Sequence, residues 1–355
     1  MSTAHTAGLE GVVAVETSIA EPDRNGGALR YRGVDIDDLV GRLRYEHVWG
    51  LLVDDDPSSR LVPVDVPTPT VTGEPMADLQ AALAALAGDW GLGKLVDMDT
   101  AQVRADLERL SSAVFVIAAA LAADRPTATD PTDDGAVAER FVRTWRGALL
   151  PEVVDAVETY WICTAEHGLN ASTFTARIVA STGADAAACL AAAVGALSGP
   201  LHGGAPARVV PMLDEAEACG DADRAIAAIL GRGERLMGFG HRVYRAEDPR
   251  ARLLRETARR ICAPRYEVAL EVERAALAEL AQRKPDRVLA TNVEYWSAVV
   301  LDAAGVPPHF APVLFACSRT AGWSAHILEQ HATGRLIRPA ARYIGPPARQ
   351  LSVPV

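Results

Sequence analysis

Residues 186–204 read AAACLAAAVGALSGPLHGG. Ala186 to Leu197 is built mostly of Ala and Leu, strong helix formers whose small members let neighbouring helices approach closely. Ser198-Gly199-Pro200 breaks that helix, and Leu201-His202-Gly203-Gly204 then sets an imidazole among glycines. The same composition extends outward along the chain. Nearly half of the 355 residues are hydrophobic but only 5% are aromatic. A β-sandwich or barrel would need more β-branched and aromatic residues. The chain is therefore expected to be mainly α.

Periodicity predicts helices over 76–87, 107–123, 136–145, 153–166, 173–181, 186–197, 206–218, 222–231, 249–261, 265–283 and 293–304. Val12–Val15 and Ala28–Tyr31 flank the turn signal Pro22–Gly27 and predict a small N-terminal β-hairpin. Pro126–Gly135 reads as a polar loop, and the tail from Thr333 as irregular. No fixed-period repeat suggests a solenoid. The length suits one large domain or two modest ones.

The net charge of −11 argues against a nucleic-acid or anionic-membrane binder. The longest apolar run, Leu110–Ala123, is too short to span a bilayer. Met1–Gly8 does not read as a secretory signal. Five scattered cysteines without a CxxC pair read as reduced thiols of a cytoplasmic protein, with neither a disulfide framework nor a zinc site.

Gly88–Lys94 imitates the GxxxxGK part of a phosphate-binding loop. Leu95 stands where Ser or Thr would hold magnesium, and Ala81–Leu86 before it looks helical, so it reads as a helix connection. The informative stretches are three His-centred segments around His167, His202 and His241, two of them Gly-rich. His202 and His241 read as loop-to-helix entries. There a helix dipole favours the neutral imidazole, a hydrogen-bond donor to an oxygen that gains negative charge. Glu294 sits among apolar residues that would raise its pKa towards a useful base. Arg319 lies in an apolar stretch, and the acid-free tail carries Arg335, Arg338, Arg342 and Arg349; Arg suits bidentate carboxylate or phosphate binding.

With Gly8–Val12, Leu29–Ile36, Arg319–His326 and Ile337-Arg338-Pro339, these motifs fall in the order found in the citrate synthase family, which the sequence resembles over nearly its whole length. Its length resembles the compact dimeric bacterial and archaeal members, which include 2-methylcitrate synthases. The resemblance implies a two-domain, almost all-helical fold: a large domain from 1–202 and 300–355, and a small domain from 203–299. It implies condensation of acetyl-CoA with oxaloacetate, followed by hydrolysis to citrate and CoA, without a metal or bound cofactor. In that scheme Glu294 is the base, His202 the donor to the thioester oxygen and His241 the donor to the oxaloacetate carbonyl. Oxaloacetate is held by His167, His241, Arg250, Arg319 and Arg338, the last reaching across a homodimer. CoA meets Leu236, Met237, Gly238, Phe239, Gly240 and Arg245. One departure stands out. The family pattern Asn-Val-Asp-Phe-Tyr is here Asn292-Val293-Glu294-Tyr295-Trp296, and the longer acid adds roughly 1.5 Å of reach. Two alternatives remain: propionyl-CoA as the acyl substrate, or a weakly active paralogue that senses CoA or dicarboxylate.

Overall fold

The computed structural model describes residues 7–9, 11–23, 27–58, 60–123, 133–203, 208–240, 244, 247–286 and 289–349. Three short strands open the fold: β1 (Ala20–Pro22), β2 (Leu29–Tyr31) and β3 (Val34–Asp35), paired antiparallel in that order. The hairpin expected from the sequence is present, but its first strand is Ala20–Pro22, with Ala20 opposite Tyr31. Val12–Val15 is irregular; Val12 and Val13 are exposed, so no packing holds them in a ladder.

Thirteen α-helices follow among the described residues. They are α1 (Tyr45–Asp54), α2 (Pro75–Asp89), α3 (Thr100–Ala122), α4 (Val137–Arg146), α5 (Pro151–Thr164), α6 (Ala171–Ser181) and α7 (Ala186–Leu197). Then come α8 (Val210–Cys219), α9 (Ala222–Gly231), α10 (Pro249–Arg260), α11 (Tyr266–Arg283), α12 (Val293–Ala303) and α13 (Ala311–Thr333). Local chemistry sets their starts. Asp99 and Gln102 form a reciprocal capping box that begins α3 seven residues before the predicted start at Leu107. Helix α8 begins at Val210 rather than 206, with Pro211 in its first turn, where a missing N–H costs nothing. Helix α5 stops at Thr164, two residues short of the prediction, and Glu166 and His167 lie in the loop beyond it. Lys94 of the false phosphate loop pairs at 2.7 Å with Asp185, whose other oxygen caps α7.

Helix α13 is the axis of the larger cluster. It packs against α1, α3, α5, α6 and α7, and every residue from Ala316 to Leu328 is buried. Around it Phe115 and Phe141 meet Trp161 edge-on, centroids 4.8 and 5.2 Å apart. Close approach depends on small residues: a Cβ at Gly195 would press on Gln80 of α2. Helices α8, α9 and α11 pack on one another, while α10 and α12 pair together and lie against α5. The ends of α5, α6, α7, α10 and α12 therefore converge on one side of α13.

Candidate active site

A cavity of about 160 Å³ lies at that convergence. Tyr160 and Thr164 of α5 line it, with His167 and Asn170 from the loop before α6 and His202 from the turn after α7. Arg250 enters from α10, and Asn292, Val293, Glu294 and Ser297 from the start of α12. Phe315 and Arg319 of α13 complete the wall. Five candidates scattered over more than 150 residues of sequence, His167, His202, Arg250, Glu294 and Arg319, thus share one cavity.

His202 occupies a tight turn behind the C-terminus of α7; residues 204–207, on which the expected loop-to-helix entry falls, lie outside the described residues. That turn depends on Gly203, whose N–H caps the Leu197 carbonyl at 3.1 Å and whose Cβ would collide with that oxygen. A helix N-terminus beside His202 is supplied by α6. Ser172, in the first turn of α6, approaches Nε2 through its backbone N–H at 3.3 Å and its hydroxyl at 2.8 Å. A backbone N–H only donates, so Nε2 is the acceptor and the ring proton sits on Nδ1. Burial, and then the charge of Arg319, push the His202 pKa down to about 4. The ring is neutral near pH 7 and carries its donor on the other nitrogen.

Glu294 stands in the first turn of α12. Burial raises its carboxyl above the usual range; Arg250 pulls the other way, and Asp248 adds to the rise. Its backbone N–H is held by the Asn292 cap at 3.0 Å. Asn292 also donates to the Gly240 carbonyl at 2.8 Å and, through its backbone, to that of Gly238 at 2.9 Å. The segment Leu236–Gly240 is thereby fastened to the turn that carries Glu294. Gly238, at φ +86°, lies so close to Tyr295 that a Cβ would overlap its side chain. Tyr295 and Trp296 then anchor α12 to α11, donating to the Ala269 carbonyl at 2.7 Å and to Glu273 at 2.9 Å.

The two cavity arginines differ. Arg250 is clasped by Asp248, with Nε and Nη2 at 2.9 and 2.8 Å from its two oxygens. Burial would lower the Arg250 pKa, but Asp248 outweighs it and raises it. Arg319 donates through Nε to the Thr164 carbonyl at 2.9 Å and lies over the Phe315 ring at 4.7 Å. Its Nη1 is buried and has no partner among the described residues. Burial pushes its pKa down, and Glu166 is the nearest counterweight.

Arg338 is not at this cavity. It is exposed on the irregular tail, beside Ile337, whose N–H reaches Ser181. His241 and Arg245 lie outside the described residues. Sequence reading missed Tyr160, Thr164, Asn170, Ser297 and Phe315 as cavity residues. Only Asn170, three residues after His167, carried a usable signal: it caps α6 and thereby aims Ser172 at His202.

A family model described as "Citrate synthase, C-terminal domain" matches residues 8–340. The chain belongs to the citrate synthase family. It is 56% identical over 348 residues to "Putative citrate synthase 2" of Mycobacterium tuberculosis, covering 96% of this chain and 93% of that one. It is 30% identical over 366 residues to the 2-methylcitrate synthase of Shewanella oneidensis, covering 97% and 96%. Citrate synthase of Thermoplasma acidophilum, solved as a ternary complex with carboxymethyl coenzyme A and oxaloacetate, superposes with a TM-score of 0.82 at 28% identity, each chain 98% covered. In this citrate synthase family member the acid at the head of α12 is Glu294, and the anchors of Tyr295 and Trp296 fix where its helix begins.

Proposed function

We propose that the chain is a citrate synthase that condenses acetyl-CoA with oxaloacetate and hydrolyses the product to citrate and CoA. The observation that carries this reading is the junction at one cavity of three groups: a carboxyl raised by burial, a neutral imidazole with its proton on Nδ1, and a buried guanidinium nitrogen without a partner among the described residues. The acetyl methyl is too weak a carbon acid for a carboxylate alone. Glu294 takes the methyl proton while Nδ1–H of His202 donates to the thioester oxygen on which charge develops. The enolate carbon attacks the oxaloacetate ketone, a carbon–carbon bond forms as the C=O π bond breaks, and the oxygen, polarised by His241, takes its proton to become the hydroxyl. Water then cleaves the thioester and releases CoA. His167, Arg250, Arg319 and, from a second subunit, Arg338 hold the dicarboxylate; Leu236–Gly240 and Arg245 meet CoA.

This reading places the enzyme in the cytoplasm as a homodimer of two-domain subunits, 203–299 closing on the remainder over oxaloacetate. Among the described residues no helix is long and apolar enough to cross a membrane. The acyl chain is decided by the shape of the pocket around the acyl methyl, where one methylene is worth about 1–3 kcal/mol. Thiol release by the purified protein, with oxaloacetate and either acetyl-CoA or propionyl-CoA, tests the reading. The expected result is oxaloacetate-dependent release with the higher kcat/KM for acetyl-CoA. A higher value for propionyl-CoA makes it a 2-methylcitrate synthase; no release with either contradicts the assignment.

A further inference from the structure

Behind the cavity wall, four side chains that do not line it form a continuous polar chain. Glu329 accepts from Arg177 Nη1 at 2.5 Å, and also from the Ser18 N–H at 3.0 Å and the Thr17 hydroxyl at 3.2 Å. Arg177, 1% exposed, also places Nη1 at 2.9 Å from Nδ1 of His326. A guanidinium only donates, so Nδ1 accepts and the proton of the neutral His326 ring sits on Nε2. Nε2 then donates at 3.3 Å to Oε1 of Glu166, which like His326 is fully buried. The line ends in two unmatched atoms. Oε2 of Glu166 and Nη1 of Arg319 are both buried, and neither has a partner among the described residues. Glu166 is the acid that acts most strongly on Arg319, yet the two do not join in an ion pair.

Two opposite groups left apart in a buried site are unusual, because pairing them would satisfy both. The fold holds Glu166 back. Arg319, Gly322 and His326 share one face of α13 at i, i+3 and i+7. His326 grips Oε1 from one side. Gly322 gives Oε2 room that any Cβ would fill, and its N–H bonds the Ala165 carbonyl at 3.2 Å.

We propose that Glu166 and His326 are positioning residues for Arg319. Glu166 supplies the counter-charge from a distance, and His326 restrains it so that Nη1 stays open to a carboxylate of the ligand. This rests on the reading that oxaloacetate is that ligand.

The test compares oxaloacetate dissociation constants, by calorimetry, in the full-length wild type and four variants. His326→Leu releases Glu166 to close on Arg319, and Kd rises about tenfold or more, the scale of one charge-assisted hydrogen bond. His326→Gln, which still donates to Glu166 and accepts from Arg177, stays within about threefold of wild type. Glu166→Gln binds at least as tightly as wild type. Its unliganded Tm falls, because Arg319 loses its counter-charge, and oxaloacetate raises that Tm further than in wild type. Combining Glu166→Gln with His326→Leu cancels the loss caused by His326→Leu alone. A loss that persists in the double variant, or weaker binding by Glu166→Gln, overturns the proposal. If His326→Leu does not fold, the Kd of Glu166→Gln decides alone. A wild type that binds no oxaloacetate overturns the proposed function and this inference with it. A wild type that binds, with the variant signs reversed, overturns only the inference.

Discussion

Arg250 and Arg319 are the same residue type, at 3% and 2% exposure, on walls of one cavity. Their surroundings are opposite. Arg250 brings its own carboxylate from the same turn, and Asp248 also caps α10 and accepts the Val293 N–H at 2.9 Å. That pair is a joint between the starts of α10 and α12. Arg319 receives one backbone carbonyl and an aromatic face, and its Nη1 has no partner among the described residues. The difference shows how one fold uses a buried guanidinium in two ways. Closed, it joins the starts of α10 and α12 beside Glu294 and, in the proposed scheme, still faces the dicarboxylate; open, it offers that proposed ligand a buried donor with no partner among the described residues.

The largest effect is expected from breaking the closed pair. Asp248→Ala takes the paired carboxylate away from buried Arg250 and removes the acceptor of the Arg250 and Val293 backbone N–H groups, and unfolding by denaturant is expected to show a loss of about 3–5 kcal/mol. A loss below about 1 kcal/mol, the scale of a surface ion pair, would mean that the joint is not structural. Next comes the open arginine. Arg319→Met removes the proposed anion site together with the charge that faces Glu166, so oxaloacetate affinity falls about 100-fold, the upper end for a charge-assisted hydrogen bond. The unliganded Tm also falls, as in Glu166→Gln, because buried Glu166 loses the charge that faces it, but by less than in Asp248→Ala. The reverse pattern, with stability lost and affinity kept, would exchange the two roles.

The smallest effect near neutrality is on pH dependence. Glu294 works ionised, and its pKa lies above the ordinary value of about 4.3. Catalytic efficiency should therefore fall as pH drops through a point above that value, by about one decade per unit below it. His202, pushed down to about 4, stays neutral across that limb. A limb centred at or below the ordinary glutamate value contradicts the burial argument.

Much of this was legible in the sequence. Helices α7 and α9 have the predicted bounds, because their caps and stops, Asp185, Asp221 and the breaks after Leu197 and Gly231, are local signals. Helix α13 was absent from the predicted run. It is buried all round, so the alternation of apolar and polar residues that marks a surface helix disappears, and Arg319 and His326 look out of place until the fold closes. His167, His202, Glu294 and Arg319, which share the cavity, were picked out by residue type and setting. Tyr160 and Thr164 were not, since on a buried helix they read as ordinary core. A positive helix end beside His202 is a kind of environment the sequence suggests, but the donor that α6 supplies, Ser172, lies 30 residues away and carries no local signal.

The central claim is that Glu294, despite its extra methylene, is the base at the acyl methyl group. Purified Glu294→Gln and wild type should be compared in oxaloacetate-dependent release of CoA from acetyl-CoA, with oxaloacetate binding measured in parallel. The account predicts that the variant binds oxaloacetate within about threefold of wild type yet loses at least about 1,000-fold in kcat, within the range reported for removing a positioned base. Near-normal turnover by Glu294→Gln would contradict it.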